Sequence, residues 1–177
     1  TVCIDRVAAS GGYMMAVVAD EIVAAPLAVV GSIGVLLPVP NVHRWLKERG
    51  VEYDEMTAGE YKRTVSLAGE ITPEGREKTQ AQLDETHDLF KKHITRHRPE
   101  LDIDSVATGE FWYAERAKDL GLVDRIATSD DLILERASER AVLRVRYLPP
   151  PRFAERVLDW SARLGRVGRA LSSMKLR

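Results

Sequence analysis

The 177-residue sequence lacks most of the features that announce a function directly. It has a single cysteine, Cys3, which excludes an internal disulfide and any cysteine-based zinc centre. No run approaches the roughly 18 consecutive apolar residues of a membrane-spanning helix. The first residues do not show the basic-then-apolar order of a signal peptide. There is no charge excess either: the net charge of −1 calls for no nucleic-acid partner. Only four histidines occur, His43, His87, His93 and His97. The last two are four apart, but "HITRH" carries Ile94 where a zinc-peptidase helix needs glutamate, and no third ligand is evident, so no metal is expected. All four are expected at the surface. The glycine pair of "GSIGV" lacks both the dinucleotide-binding spacing and a Walker lysine, so no cofactor is expected and a tight backbone bend is the better reading.

What is present is an ordinary soluble composition, 45% apolar and 30% charged, in a chain the length of one domain. "TVCI" is a short β-favouring run, and "YMMAVVAD" is apolar nearly all round, as in a buried helix. "EIVAAP" reads as a strand stopped by Pro26, and "AVVGSIGVLLPVP" as a second apolar strand broken by its glycines. "NVHRWLKERG" reads as a helix with Asn41 as N-cap and Gly50 as its stop. "VEYDEMTAGEYKRT" follows as an alternating β run and a polar loop. A long helix is predicted from the Thr72 cap and Pro73 to a boundary at Pro99, with Leu83, Phe90 and Ile94 as its apolar stripe and Thr79 and Thr86 at compatible spacing. A short helix closed by Gly121, a strand at "LVDRIA", a helix led by Asp130 and Asp131, and a last strand "VLRVRYL" complete residues 1–148. Strands alternating with helices predict an α/β layered domain with a largely parallel sheet.

Pro149, Pro150 and Pro151 form a stiff break. Beyond it, Phe153, Val157, Trp160, Leu164, Val167 and Leu171 recur at helical spacing among arginines. Residues 149–177 are therefore expected to be a basic amphipathic helical tail, suited to an anionic membrane surface, a neighbouring subunit or its own domain.

The candidate for chemistry is Ser10 in "AASGGYMMA", a hydroxyl among small residues ahead of an apolar run. No nearby histidine activates it, which leaves a carboxylate, a lysine or an N-terminal amine as base. A lysine serves only if desolvation brings its pKa down from about 10.4 toward neutrality. Lys62 in "TAGEYKRT" has Tyr61 beside it as apolar cover. Spacing alone does not single it out, since a lysine in a polar loop is ordinarily a solvated charge. Ser32 reads most simply as a turn hydroxyl.

"AASGGYMMA", "GSIGV", "TAGEYKRT", "GREK" and "GEFWYAERAKDLGLVDRI" occur in this order over residues 1–147. Together they resemble the signal peptide peptidase A family of Ser–Lys serine peptidases, most closely its SohB branch. The resemblance implies a ClpP/crotonase-like fold of repeated βαβ units with the nucleophile at a helix N-terminus. It implies Ser10 as nucleophile, Lys62 as general base, Ser32 orienting the lysine amine and the Gly11 N–H as one oxyanion donor. In the family a second donor comes from a glycine-rich loop upstream of the serine. No such loop precedes Ser10 here, and the sequence opens inside an apolar run without methionine. The expectation is therefore an N-terminally truncated peptidase domain, inactive alone, with one lost donor costing about 10²–10³ in rate.

The family implies peptide substrates such as membrane-associated signal-peptide remnants, a homo-oligomer, and an upstream anchor in the bacterial inner membrane with the peptidase domain on the periplasmic side. Two rivals remain. "AERAKDLGLVD" is also similar to crotonase-type acyl-CoA enzymes, which need no Ser10–Lys62 pair. A non-catalytic peptide-binding or oligomerisation module is the other.

Overall fold

A computed structural model describes residues 1–147. Thr1–Arg140 form one compact unit, and a second begins at Ala141. The basic helical tail expected over 149–177 lies outside the described residues.

The first unit is a mixed α/β structure built on two small sheets. The chain makes β1 (Val2–Ile4) in one sheet and, after a two-residue break, β2 (Val7–Ala9) in the other. Helix α1 (Gly11–Ala16) follows, and the pattern repeats with β3 (Ile22–Ala24) and β4 (Val29–Gly31). β1 pairs in parallel with β3, and β2 in parallel with β4. Pro26 has no N–H to donate, so the ladder is interrupted between β3 and β4. Pairing nonetheless continues around the bend, through Ala25 N to Ile4 O (2.9 Å) and Val29 N to Arg6 O (2.8 Å). The two halves behave as one bent parallel pair.

The alternating run predicted at the start of 51–64 is not a strand, whereas the polar loop predicted after it is present, and of the strand predicted over 28–40 only Val29–Gly31 forms. Val29–Gly31 keeps the one portion of that apolar stretch with partners on both sides, β2 and β5 (Phe111–Tyr113). β5 runs antiparallel to β4, so only the first sheet is wholly parallel. Its third strand is β6 (Arg125–Ile126). Residues 142–147, the described part of the closing strand predicted over 142–148, carry no regular structure and are exposed. β propensity is expressed only against a neighbouring strand.

Helix α2 (His43–Lys47) starts after Val42, not after Asn41 as the sequence suggested. The Asn41 amide is occupied elsewhere: it donates to Ser66 O and Gly69 O, while its carbonyl accepts from His43 N. Helix α3 (Pro73–His97) agrees with prediction at its start, where the Thr72 hydroxyl accepts from Gly75 N at 3.0 Å. Phe90 and Ile94 are its core contacts. Two short helices, α4 (Ile103–Val106) and α5 (Ala114–Asp119), flank β5, and Gly121 closes α5 at a φ of 80°. Helix α6 (Ser129–Ala137) is started by Thr128, which shares a capping box with Asp131.

The core joins Ile4, Ile22 and Val30 of the sheets, and Ile33 just beyond β4, to Tyr13, Phe90 and Ile94 of the helices and Val17 at the end of α1. α1 is buried on one side only, through Tyr13 and Ala16, with Met15 75% exposed on the other. A six-residue helix lying on the sheet cannot bury its whole circumference. Tyr13 is anchored by donating its hydroxyl to Leu122 O at 3.0 Å, and burial pushes its phenol well above the usual range. Cys3, a free thiol in β1, is half-buried, and its pKa is raised chiefly by that burial.

Candidate active site

Strand register decides the geometry around Ser10. Ala9 is aligned with Gly31 across the β2–β4 pair, so the residues that leave the two strands, Ser10 and Ser32, stand side by side. Both leave at the carboxyl ends of parallel strands, where α/β sheets open their crevices. Ser10 N donates to Gly31 O at 2.8 Å, and Ser32 N donates to Glu110 O at 2.6 Å. Ser10 and Ser32 are the non-glycine residues with positive φ among those described, at 51° and 52°. Such conformations cost about 1–3 kcal/mol and persist only where the surroundings impose them. Here the imposed turn takes the chain from strand to α1 and leaves the Ser10 side chain exposed, without a capping bond to its own helix.

Gly31 makes the approach possible. Its φ is 106°, and a Cβ there would meet the Trp112 ring at 2.8 Å. Gly34 likewise lies against Gly109, where a Cβ would come within 3.0 Å of the neighbouring Cα. The bend expected at "GSIGV" is therefore present, and its purpose is close packing of backbone on the β5 segment.

A cleft of about 610 Å³ opens at this point, lined by Ser10, Gly11 and Ser32 together with apolar Met14, Val35, Leu36 and Phe90. α3 contributes Thr86 and His87 to its wall. Of the four residues singled out in the sequence, the cleft gathers three. Lys62 is exposed and is not among the residues that line it. Tyr61, expected to cover Lys62, stands 50% exposed and carries the Lys78 ammonium 5.3 Å above its ring.

The C-terminal end of the Lys62 loop is pinned to α3. The Thr79 hydroxyl donates to Gly75 O (2.8 Å), so the 2.7 Å contact between Thr64 and Thr79 hydroxyls has Thr64 as donor. Gly75 lets Thr64 approach, because a Cβ there would fall 2.5 Å from Thr64 O. Gly75→Ala is expected to lower stability by about 1–2 kcal/mol net, the clash outweighing alanine's better helix propensity. Urea unfolding reads this out; an unchanged midpoint would mean the contact does not hold the loop.

The surface reading of the histidines needs correction. His43 is half-buried with Nδ1 3.2 Å from Ala68 O, and His93 holds Met14 O at 3.0 Å, satisfying a carbonyl in the last turn of α1. His87 is half-buried on the cleft wall. Only His97 is exposed, its ring edge-on to His93 at 5.1 Å. The long helix was expected to turn its histidines outward because its neighbours in sequence are charged; His97 does so, whereas His93 meets α1 and His87 joins the cleft wall.

The model of peptidase family S49 matches residues 1–143. The chain belongs to peptidase family S49. Within that family it stands with the SohB branch. The "Probable protease SohB" of Haemophilus influenzae is 60% identical over 147 residues, covering 83% of this chain and 42% of that protein. Its namesakes from Buchnera aphidicola of Acyrthosiphon pisum and of Schlechtendalia chinensis are 45% and 50% identical over 155 and 136 residues, covering 88% and 77% of this chain and 46% and 45% of those proteins. The chain thus spans under half the length of the S49 relatives it matches. The resemblance drawn from the ordered motifs is borne out at the level of family and branch.

Proposed function

We propose that this chain carries the nucleophilic side of an S49 serine peptidase centre, with Ser10 attacking and Lys62 as its base. The observation that carries the reading is the register of β2 on β4, which brings a strained, exposed Ser10 beside Ser32 at the mouth of an apolar cleft. In this reading Ser10 Oγ adds to the scissile carbonyl while the neutral Lys62 amine takes its proton. The Gly11 N–H donates to the resulting oxyanion. Collapse breaks the C–N bond, the lysine returns the proton to the leaving amine, and water then hydrolyses the acyl ester on Ser10. Ser32, adjacent to Ser10, hydrogen-bonds the lysine amine and orients it.

Lys62 must leave water to act, since a hydrated ammonium holds its proton at neutral pH. The reading therefore includes movement of the 57–63 loop, pivoting on its pinned Thr64 end, to bring Lys62 to the cleft. Arginine reaches as far but does not deprotonate. Lys62→Arg in the full-length protein is expected to lower kcat by about 10²–10⁴ with the melting temperature unchanged. Retained turnover of a fluorogenic peptide would remove Lys62 as base.

The repeated strand–break–strand unit around α1 supports a ClpP/crotonase-like arrangement of repeated βαβ units for the whole domain. The apolar lining supports peptides with small or apolar residues at the cleaved bond, such as membrane-associated signal-peptide remnants. Among the described residues no helix is long and apolar enough to cross a membrane. Anchoring at the bacterial inner membrane with the peptidase domain on the periplasmic side, and assembly into a homo-oligomer, are proposed for the whole protein.

A further inference from the structure

We propose that His87 is a substrate-positioning residue of the Ser10 cleft, its Nε2 hydrogen-bonding a backbone group of the bound peptide. The inference rests on the peptidase reading and adds to it a contact from the part of the cleft wall that α3 supplies.

Three observations converge on this ring. His87 lines the same cleft as Ser10, Gly11 and Ser32. Its Nε2 is shielded from solvent and has no hydrogen-bond partner among the described residues. The two threonine hydroxyls of the cleft lining are already engaged: that of Thr86 donates to Gln82 O at 2.8 Å, and that of Thr108 donates to Glu110 Oε2 at 2.7 Å. His43 and His93, half-buried on other surfaces, have each found a carbonyl.

A buried nitrogen with no partner lowers stability, and folded proteins keep few of them. Val35 and Leu36 line the cleft with apolar side chains that cannot pair with an imidazole. A peptide brings both kinds of partner along its main chain, and neutral imidazole meets either one, as donor or acceptor according to its tautomer. Rotation of the ring toward an entering peptide exchanges the shielded, unpaired state for a bonded one. In this way the wall gains direction as well as apolar area: side chains fill the Met14–Phe90 surface, and His87 sets the register of the main chain against Ser10.

The test compares wild type, His87→Leu and His87→Gln in the full-length protein, using a fluorogenic peptide with alanine or leucine at the cleaved bond. His87→Leu is expected to raise KM about tenfold, the worth of one hydrogen bond, with kcat within about twofold. Its melting temperature is expected to stay level or rise, because an unpartnered nitrogen has been removed. His87→Gln, which keeps a hydrogen-bonding end, is expected to bring KM back to within about threefold. An unchanged KM in His87→Leu overturns the proposal, as does a fall in melting temperature with the same KM in both variants, the mark of a structural histidine. Labelling of wild-type Ser10 by a fluorophosphonate separates the two levels. Labelling with an unmoved KM overturns the role of His87 alone, whereas no labelling overturns the peptidase reading beneath it.

Discussion

Ser10→Ala in the full-length protein is expected to lower kcat/KM for peptide hydrolysis by about 10⁶, the scale on which serine peptidases lose activity with their nucleophile. The same substitution barely alters packing, because the side chain is exposed and caps nothing. Stability and activity should therefore separate. Ser10→Gly separates them further, since it removes the same hydroxyl at a φ of 51° that glycine adopts without strain. It is expected to be as inactive as the alanine variant and more stable than wild type by about 0.5–1 kcal/mol. Peptide turnover and urea unfolding on the three proteins check both halves. Turnover within tenfold of wild type in either variant would dismiss Ser10 as the nucleophile. A glycine variant less stable than wild type would mean that the turn is not held against strain.

The largest loss of stability is expected at Asp124, which joins three elements and is not among the residues that line the cleft. Its Oδ2 accepts from Ile22 N at 2.7 Å, at the start of β3, and from Arg98 Nη2 at 2.6 Å, just past the end of α3. Its own N–H donates to Ile22 O at 2.9 Å. Asp124→Ala leaves a buried strand amide and a guanidinium that is only 14% exposed without their acceptor. A loss of about 2–4 kcal/mol is expected, and about half of that for Asp124→Asn, which keeps one acceptor oxygen. The hydrogen bond from Arg98, first, and that from Ile22 hold the Asp124 carboxyl below its usual range, against the opposing effect of burial.

The direction of that shift sets the pH dependence. A carboxyl whose folded value is depressed contributes stability that is fully present above its unfolded value of about 4 and is lost as pH falls through the folded value. Asp5, Asp131 and Glu135 are shifted in the same direction by their own partners, so the wild-type profile alone does not isolate Asp124. The stability gap between wild type and Asp124→Asn does. It is expected to be constant above about pH 5 and to narrow below pH 4; a gap that stays constant to pH 2 would assign it to packing and hydrogen-bond geometry alone.

Local signals were legible where a short stretch settles its own structure. Thr72 and Pro73 start α3 because a hydroxyl cap and a residue lacking an N–H both suit a first turn, and neither needs a distant partner. Gly121 ends α5 by the same kind of local rule. Strand predictions failed where a β-favouring stretch found no neighbour, as over 142–147 and beyond Gly31. Asn41 failed as a cap because its amide bonds to backbone about 25 residues away, at Ser66 and Gly69. The pattern around His87 gave no warning that a charged helix would turn that ring into a cleft wall, because the α1 and Gly34–Leu36 segments that complete the wall are remote in the chain.

By itself the sequence determined the family, through an ordered set of short motifs, and it marked Ser10, Gly11, Ser32 and Lys62 as candidates. It also determined the bent backbone at Gly31 and the capped start of the long helix α3, since these depend on φ limits and hydrogen bonds within a few residues. The tertiary structure decided which candidates meet. Alignment of Ala9 with Gly31 sets Ser10 beside Ser32, an outcome of strand register that no local rule contains. It also left Lys62 on an exposed loop and drew His87 into the cleft, because the position of a loop and the facing of a long helix follow from packing between segments distant in sequence.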